Sequence, residues 1–399
     1  MIEALDIAIA SGEFWGRNPT RELAWLRAND PIHWDEAAGV WGVARYDDLR
    51  EVEGQPQIFS NAGGIRPDTG PTGMMIDLDD PGHLRRRRLV SKGFTPSRVR
   101  DQEARIVEII DSLLDMVCER GEMDFVGDFA AWLPLIIIGD ALGVEPEDRP
   151  TLLKWSDDLM RGQGSDDENV VHEMMDAFVG YTAFAEDAIA SRRGCPRDDL
   201  MGLLVDAAID GDQLTKDEII AESLLILIGG DETTRHVITG GLYQLLANRA
   251  QWDLLRDDRS LVPGAVEESL RWVSPIKNMA RTATRDVELR GKHIEAGQKL
   301  LMLYPSANRD EDHFTDPETF DITRSPNDHV AFGFGPHFCL GAPLARLELR
   351  IAFERILDRL PDIHLVGDAE PAHRPANFVS GYESMRVEFE PALPVGTPA

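Results

Sequence analysis

The segment Phe332-Gly333-Phe334-Gly335-Pro336-His337-Phe338-Cys339-Leu340-Gly341 constrains this chain more than any other. It sets one cysteine in a glycine-rich, aromatic loop directly ahead of an apolar helical pattern: Pro343, Leu344, Leu347, Leu349, Ile351 and Phe353. A thiolate there stands at a helix N-terminus, where unpaired N–H groups and the macrodipole favour negative charge and depress a thiol pKa. Glycine lets the backbone approach a flat ligand, and Phe334 and Phe338 can screen one face from water. Such a loop suits a cysteine acting as the axial ligand of a haem iron. Most unpaired cysteines are small buried hydrophobes. Cys118 fits that role, and Cys195 lies in a polar loop. The joint spacing of Phe332, Gly335, Cys339 and Gly341, with His337 between, sets Cys339 apart.

Leu224 to Gly240 is apolar almost all round, so a central helix is expected there. Gly229 and Gly230 interrupt it, each costing about 1 kcal/mol relative to Ala. A flat ring pressed on the helix would account for them. Thr233 can turn its hydroxyl to an i−4 carbonyl and open the helix locally. Adjacent positions point about 100° apart, so Asp231 and Glu232 cannot both face the ring. Asp231 is expected to pair with Arg235 at i+4, leaving Glu232 to deliver protons. Taken alone, the same residues also suit a helix–helix contact flanked by solvated acids.

Two further groups frame the cysteine loop. Glu268 and Arg271 stand i, i+3, and Arg324 can complete a Glu–Arg–Arg network that fixes the stretch leading to Cys339. Buried charges are tolerated when fully paired. His83, Arg87, Arg281 and His337 are candidate partners for the two carboxylates of a haem. Arg85 to Arg88 form a basic cluster that could steer an acidic electron-transfer protein.

The 399 residues carry 71 acidic and 41 basic side chains, a net charge of −30. That surface repels nucleic acid and anionic lipid. Three cysteines without CxxC or CxxCH spacing leave no disulfide framework, zinc ribbon or covalent haem attachment. Met1 to Asp6 lacks the features of a signal peptide. Apolar runs such as Leu133 to Ile138 fall short of the ~18 residues that span a bilayer, so a soluble protein is expected. Free thiols suit a reducing cytoplasm, and a monomer is expected there.

The expected fold is a single, mainly α domain over residues 1–399 with small β-sheets (α+β). A β-rich part covers about 30–60, with a hairpin at Ile32–Trp34 and Val40–Val43. A helical body covers about 81–273, broken at Gly121, Gly143, Gly162–Asp167 and Gly194–Asp199, and the cysteine loop covers 332–341. Late strands are expected at Val287–Leu289, Leu300–Tyr304 and Met385–Phe389.

Together, Glu268/Arg271, Pro317/Phe320/Arg324, Phe332–Gly341 and the Glu232-Thr233 helix resemble the cytochrome P450 family of haem-thiolate monooxygenases. The match covers essentially the whole chain. Gly229 replaces the usual Ala, and Asp231 occupies a variable position. Phe59–Pro67, Met74–Asp77, Ile228–His236 and Asn377–Gly381 look like actinobacterial steroid C26-monooxygenases, which oxidise the terminal methyl of cholesterol or cholest-4-en-3-one. The resemblance implies the P450 fold, with haem b between the central helix and the loop. It implies Cys339 on iron, and protons from Thr233 and Glu232, with Asp231 beside them. O2 is the oxidant, and electrons come from ferredoxin and an NAD(P)H-dependent ferredoxin reductase. Ile65, Met74, Met75, Pro275, Ile276, Met279, Phe378 and Val379 would line a sterol-sized apolar pocket. Fatty acids, terpenoids and biosynthetic intermediates are alternative substrates, and a peroxygenase or a haem gas sensor are alternative classes.

Overall fold

The computed structural model describes residues 7–163, 165, 167–195, 197–209, 211–367 and 369–396. Met1–Asp6 and parts of the breaks at 162–167 and 194–199 lie outside the described residues.

Helical segments at Gly12–Gly16 and Thr20–Asn29 come first, followed by the expected hairpin. β1 (Ile32–Asp35) pairs antiparallel with β2 (Val40–Val43), setting Trp34 opposite Trp41. α1 (Tyr46–Glu53), β3 (Phe59–Ser60) and α2 (Gly82–Val90) follow. The helical body then holds β4 (Glu122–Asp124), α3 (Trp132–Leu142), α4 (Arg149–Arg161), α5 (Glu168–Gly194), α6 (Lys216–Ala247) and α7 (Val262–Val273). After it come β5 (Met279–Ala283), β6 (Lys299–Met302), α8 (Ala342–Arg359), β7 (His364–Leu365) and β8 (Arg386–Glu388). One sheet has the order β1-β2-β6-β5-β3, and a second has β7-β8-β4. β5 escapes a sequence reading because its exposure does not alternate residue by residue. β4 is a further strand inside the stretch expected to be helical.

α6 is the axis of the molecule. It starts earlier than its apolar run, because Thr215 and Glu218 form a reciprocal capping box. Val237, Ile238, Leu242 and Leu245 pack with Phe353 and Ile356 of α8 and Leu270 of α7 in one core. Each such buried aliphatic side chain contributes roughly 1.5–3 kcal/mol.

One expectation needs correction. Phe125–Leu142 is long and apolar enough to cross a membrane by composition, with mean hydropathy 1.7, because a π-helical turn at Phe125–Ala130 runs into α3. Two-thirds of it is buried inside the protein. Leu133 and Ile137 pack against the α6 core.

Candidate active site

A large cavity lies between α6 and the cysteine loop. It encloses about 1700 Å³ of empty space, counting its open mouth. Cys339 lines it, with Phe332, His337 and Gly341 from the loop, Gly229, Gly230 and Thr233 from α6, and Leu344 and Glu348 from α8.

The loop is fixed by its backbone. Cys339 N–H donates to Phe332 O at 2.9 Å. Gly333 and Gly335 take left-handed φ of 70° and 74°. A Cβ at Gly335 would stand 2.5 Å from Glu53 O, so glycine is required there. Gly335 thus shapes the loop without bordering the cavity. The Cys339 thiol is pushed up by burial, while the Gly341 and Ala342 N–H groups and the Arg87 charge pull it down. Desolvation outweighs the helix N-terminus, contrary to the expected depression. A metal that takes the thiolate supplies the missing compensation.

The four expected cations border the same cavity. The rings of His83 and His337 stack at 3.9 Å between centroids. Burial, then the neighbouring cations, holds His337 far below its ordinary value. Arg87 Nη2 donates to Phe338 O at 2.6 Å. Arg281 carries a partner that sequence reasoning missed: its Nη2 donates to Glu53 Oε1 at 2.6 Å. Tyr304 OH and Phe334 N–H also donate to Glu53, at 2.7 and 2.8 Å. On the Cys339 wall, four cationic or protonatable groups thus meet one buried carboxylate, Glu53, and one exposed one, Asp80, which lies 3.3 Å from His83 Nδ1. That imbalance fits a cofactor bringing two carboxylates of its own.

On α6, a Cβ at Gly229 would meet nothing within 4 Å. The helix surface there is flat and open to the cavity, as a macrocycle needs. Thr233 Oγ1 donates to Gly229 O at 2.8 Å, so its hydroxyl sits at the cavity wall. Neither Asp231 nor Glu232 lines the cavity. Asp231 pairs with Arg235 as expected, whereas Glu232, expected to serve the ring, departs from expectation. Asp231 accepts from Ser156 Oγ at 2.8 Å and Arg235 Nη2 at 3.1 Å. Glu232 meets Arg235 at 3.2 Å, Arg374 at 3.1 Å and His236 Nε2 at 3.5 Å. Burial opposes ionisation of both. Glu232 is nonetheless held low by Arg235, His236 and Arg374, whereas Asp231 is raised.

Glu268, Arg271 and Arg324 come together as one wholly connected group. Arg271 grips both Glu268 oxygens at 2.7 and 2.8 Å, and Arg324 Nε reaches Oε2 at 3.2 Å. Arg271 Nη1 also donates to Asn308 O and Pro317 O. The neighbouring Glu267 was not foreseen. It accepts from Arg346 of α8 at 2.7 and 2.8 Å and meets His329 Nε2 at 3.1 Å, bracketing the cysteine loop from both ends.

Of the expected apolar lining, Ile65, Met75, Pro275, Ile276, Met279, Phe378 and Val379 border the cavity, and Met74 does not. Met74 is buried in a core cluster that also holds Met75. Ile76, Phe94, Ile138, Met160, Leu225 and Ile226 complete the wall. The basic run is also corrected. Arg85 pairs with Asp212 and Glu218, and Arg86 with Glu222. These two latch α2 to α6 and its approach instead of presenting free charge; Arg88 is exposed.

Residues 149–361 match the cytochrome P450 family. The chain belongs to the cytochrome P450 family. It is therefore an oxidoreductase of the monooxygenase type, and the family implies a haem iron in this cavity. It is 53% identical to a steroid C26-monooxygenase of Mycobacterium tuberculosis, over 99% of this chain and 100% of the relative. A methyl-branched lipid omega-hydroxylase of the same species is 37% identical over 96% and 95% of the two chains. Among solved structures, CYP109E1 from Bacillus megaterium in complex with testosterone superposes with a TM-score of 0.87. It is 35% identical, with 94% and 99% of the two chains covered.

Proposed function

We propose that this P450 hydroxylates the terminal side-chain methyl (C26/C27) of cholesterol or cholest-4-en-3-one, with haem b as cofactor, O2 as oxidant and ferredoxin with its NAD(P)H-dependent reductase as electron source. The observation that carries the substrate is the full-length 53% identity to a steroid C26-monooxygenase. It is joined to a cavity whose non-loop wall is built from Ile65, Met75, Ile76, Ile276, Phe378 and Val379.

Haem iron, when bound, supplies the oxygen activation and the power to break an unactivated C–H bond. The chain supplies the rest. Cys339 holds the iron, and His83, Arg87, Arg281 and His337 hold the two carboxylates. Gly229 leaves room beside the ring. Thr233 Oγ1 presents a hydroxyl where a proton is needed, and Glu232, the acid before it, replenishes that proton. Asp231 shares the Arg235 charge with Glu232. Desolvation by the apolar wall keeps water from competing with substrate.

The test is a spectral titration of the haem-loaded protein with cholest-4-en-3-one, followed by turnover with ferredoxin, reductase and NADPH or with hydrogen peroxide alone. A substrate-induced shift and a C26/C27 alcohol formed only with the electron donors are expected. Oxidation on the sterol rings, or a shift with long-chain acids and none with sterols, would reassign the substrate. Equal turnover with peroxide alone would make the protein a peroxygenase.

A further inference from the structure

The polar groups bordering the cavity fall into two sets, with one exception. Glu53, His83, Arg87, Arg281, Tyr304 and His337 belong to the Cys339 wall, and Thr233, Thr234 and Glu348 stand on α6 and α8. Arg66 stands apart. It borders the cavity beside Ile65, Phe378 and Val379, an otherwise apolar cluster. It is 6% exposed, and its guanidinium lies 4.8 Å over the Phe378 ring. Its Nε has no hydrogen-bond partner. Among the described residues, no carboxylate reaches ion-pairing distance of it.

A buried guanidinium left this way is costly. The nearest acids do not resolve it. Asp77 already accepts from Ile65 N–H at 3.1 Å and Thr72 N–H at 2.6 Å. Asp68 accepts from Asn377 Nδ2 at 3.2 Å. Both acids favour the charged guanidinium from a distance, against the burial that disfavours it. Neither occupies its donor fork. The backbone that carries Arg66 is pinned: Ile65 O accepts from Ala280 N–H at 2.7 Å, and Arg66 O accepts from Lys299 Nζ at 2.8 Å. Stacking on Phe378 limits the side chain further. The result is a pre-oriented donor on an apolar wall, an arrangement that fixes how a mostly hydrocarbon ligand lies.

We propose that Arg66 donates to a single oxygen at the non-reacting end of the substrate, the 3-oxo or 3-hydroxyl group of a sterol, and so orients the opposite end toward the iron. This rests on the steroid reading above and adds the residue that reads the sterol's polar end.

The experiment is a substrate–residue cycle on the haem-loaded full chain. Spectral dissociation constants are measured for cholest-4-en-3-one and its 3-deoxy analogue, cholest-4-ene, with wild type, Arg66→Met and Arg66→Lys. Wild type should prefer the ketone by about tenfold or more, as for a hydrogen bond from a charged donor. Arg66→Met should bind the two alike, and Arg66→Lys should restore part of the preference. An undiminished preference in Arg66→Met would overturn the proposal, as would equal binding of both ligands by wild type, which leaves the steroid reading intact. If wild type binds neither sterol, the steroid reading fails. The same cycle with hexadecanoic acid and hexadecane then decides whether Arg66 reads an oxygen: loss of preference in Arg66→Met supports that role, and its retention overturns it. Should Arg66→Met fail to load haem, Arg66→Lys carries the comparison, because a donor-dependent preference must persist there at reduced strength; its complete absence would overturn the proposal.

Discussion

Two clusters of buried charge flank the cavity, and they are built to opposite rules. Around Glu268, each carboxylate oxygen and guanidinium edge is engaged. Arg271 grips the carboxylate in a fork, Asp321 N–H and Asn327 Nδ2 add donors, and Arg324 closes the far side. Around Glu232, burial is just as complete, yet among the described residues Asp231 Oδ1, Arg235 Nε, Arg374 Nε and His236 Nδ1 have no hydrogen-bond partner, and Glu232 Oε1 and His236 Nε2 have only ion-pair contacts at 3.2 and 3.5 Å. Depth therefore does not separate them; satisfaction does. A closed network holds one geometry and suits scaffolding. An open one keeps donors and acceptors ready for water or for a proton in transit, and it stands one residue from Thr233.

The largest expected effect breaks the closed cluster. Glu268→Ala strands two guanidinium groups that are 0% and 9% exposed at the side chain. Removing one partner of a buried pair costs about 3–5 kcal/mol, a large share of the roughly 5–15 kcal/mol that stabilises a typical domain. The variant should express poorly and load little haem. A melting temperature close to wild type would show that the network is dispensable.

Glu232→Gln attacks the open cluster and should separate stability from function. Arg235 keeps Asp157 and Asp231, at 2.8 and 3.1 Å, and Arg374 keeps Asp157 at 3.6 Å, so the fold should survive. Product formed per O2 consumed should fall by about tenfold or more, as proton delivery by a general acid typically contributes about 10²–10⁴-fold in rate. Unchanged coupling would remove Glu232 from proton delivery and turn attention to Asp231 or Glu348.

These clusters also show what a sequence can and cannot reveal. The cysteine loop is legible because its chemistry is local: ligand, glycines and following helix sit within a few residues. Glu268 and Arg271 are legible because they share one helix face. Glu53 and Arg374 are not, because each reaches the site from a remote segment and nothing in its own neighbourhood marks it. Arg66 lies in the marked segment Phe59–Pro67, but its place over Phe378 depends on a remote residue. The destination of Glu232 was missed for the same reason. Two of the partners that bury it, Arg235 and His236, lie on α6, but Arg374 comes from beyond α8. Arg85 and Arg86 look like free charge until Asp212, Glu218 and Glu222 fold against them. Met74 and Met75 are indistinguishable by composition, and only the folded chain shows that Met75 borders the cavity.

Acid and base titration should separate paired from unpaired carboxyls. Burial raises the Glu267 carboxyl, but Arg346 and His329 overcome this and hold it down to about 2. Its contribution to stability is complete above the unfolded value of about 4.5 and is lost as pH falls toward 2. Glu348 is the reverse case. Burial, reinforced by the Asp231 charge, pushes it well above 4.5, so its contribution is complete below that value and is lost as pH rises. Glu267→Gln should flatten the acid limb of a melting-temperature profile. Glu348→Gln should flatten a decline on the alkaline side and melt higher than wild type at pH 7. Parallel profiles for the two variants would contradict this assignment.

The smallest effect lies inside the open cluster. Asp231 and Glu232 share the Arg235 guanidinium, but Glu232 also has Arg374 and His236, while among the described residues Asp231 has only the Ser156 hydroxyl as a further donor. Two acids this close titrate as a pair. The proton that the pair retains belongs on the member with fewer cations around it. Burial accordingly raises Asp231 while its neighbour stays ionised. Asp231→Asn then replaces the more readily protonated acid of the pair with a neutral isostere, and Ser156 keeps an acceptor. Stability should move by no more than about 1 kcal/mol, and coupling should be close to wild type. A loss matching that of Glu232→Gln would place the mobile proton on Asp231 and reverse the roles of the two acids.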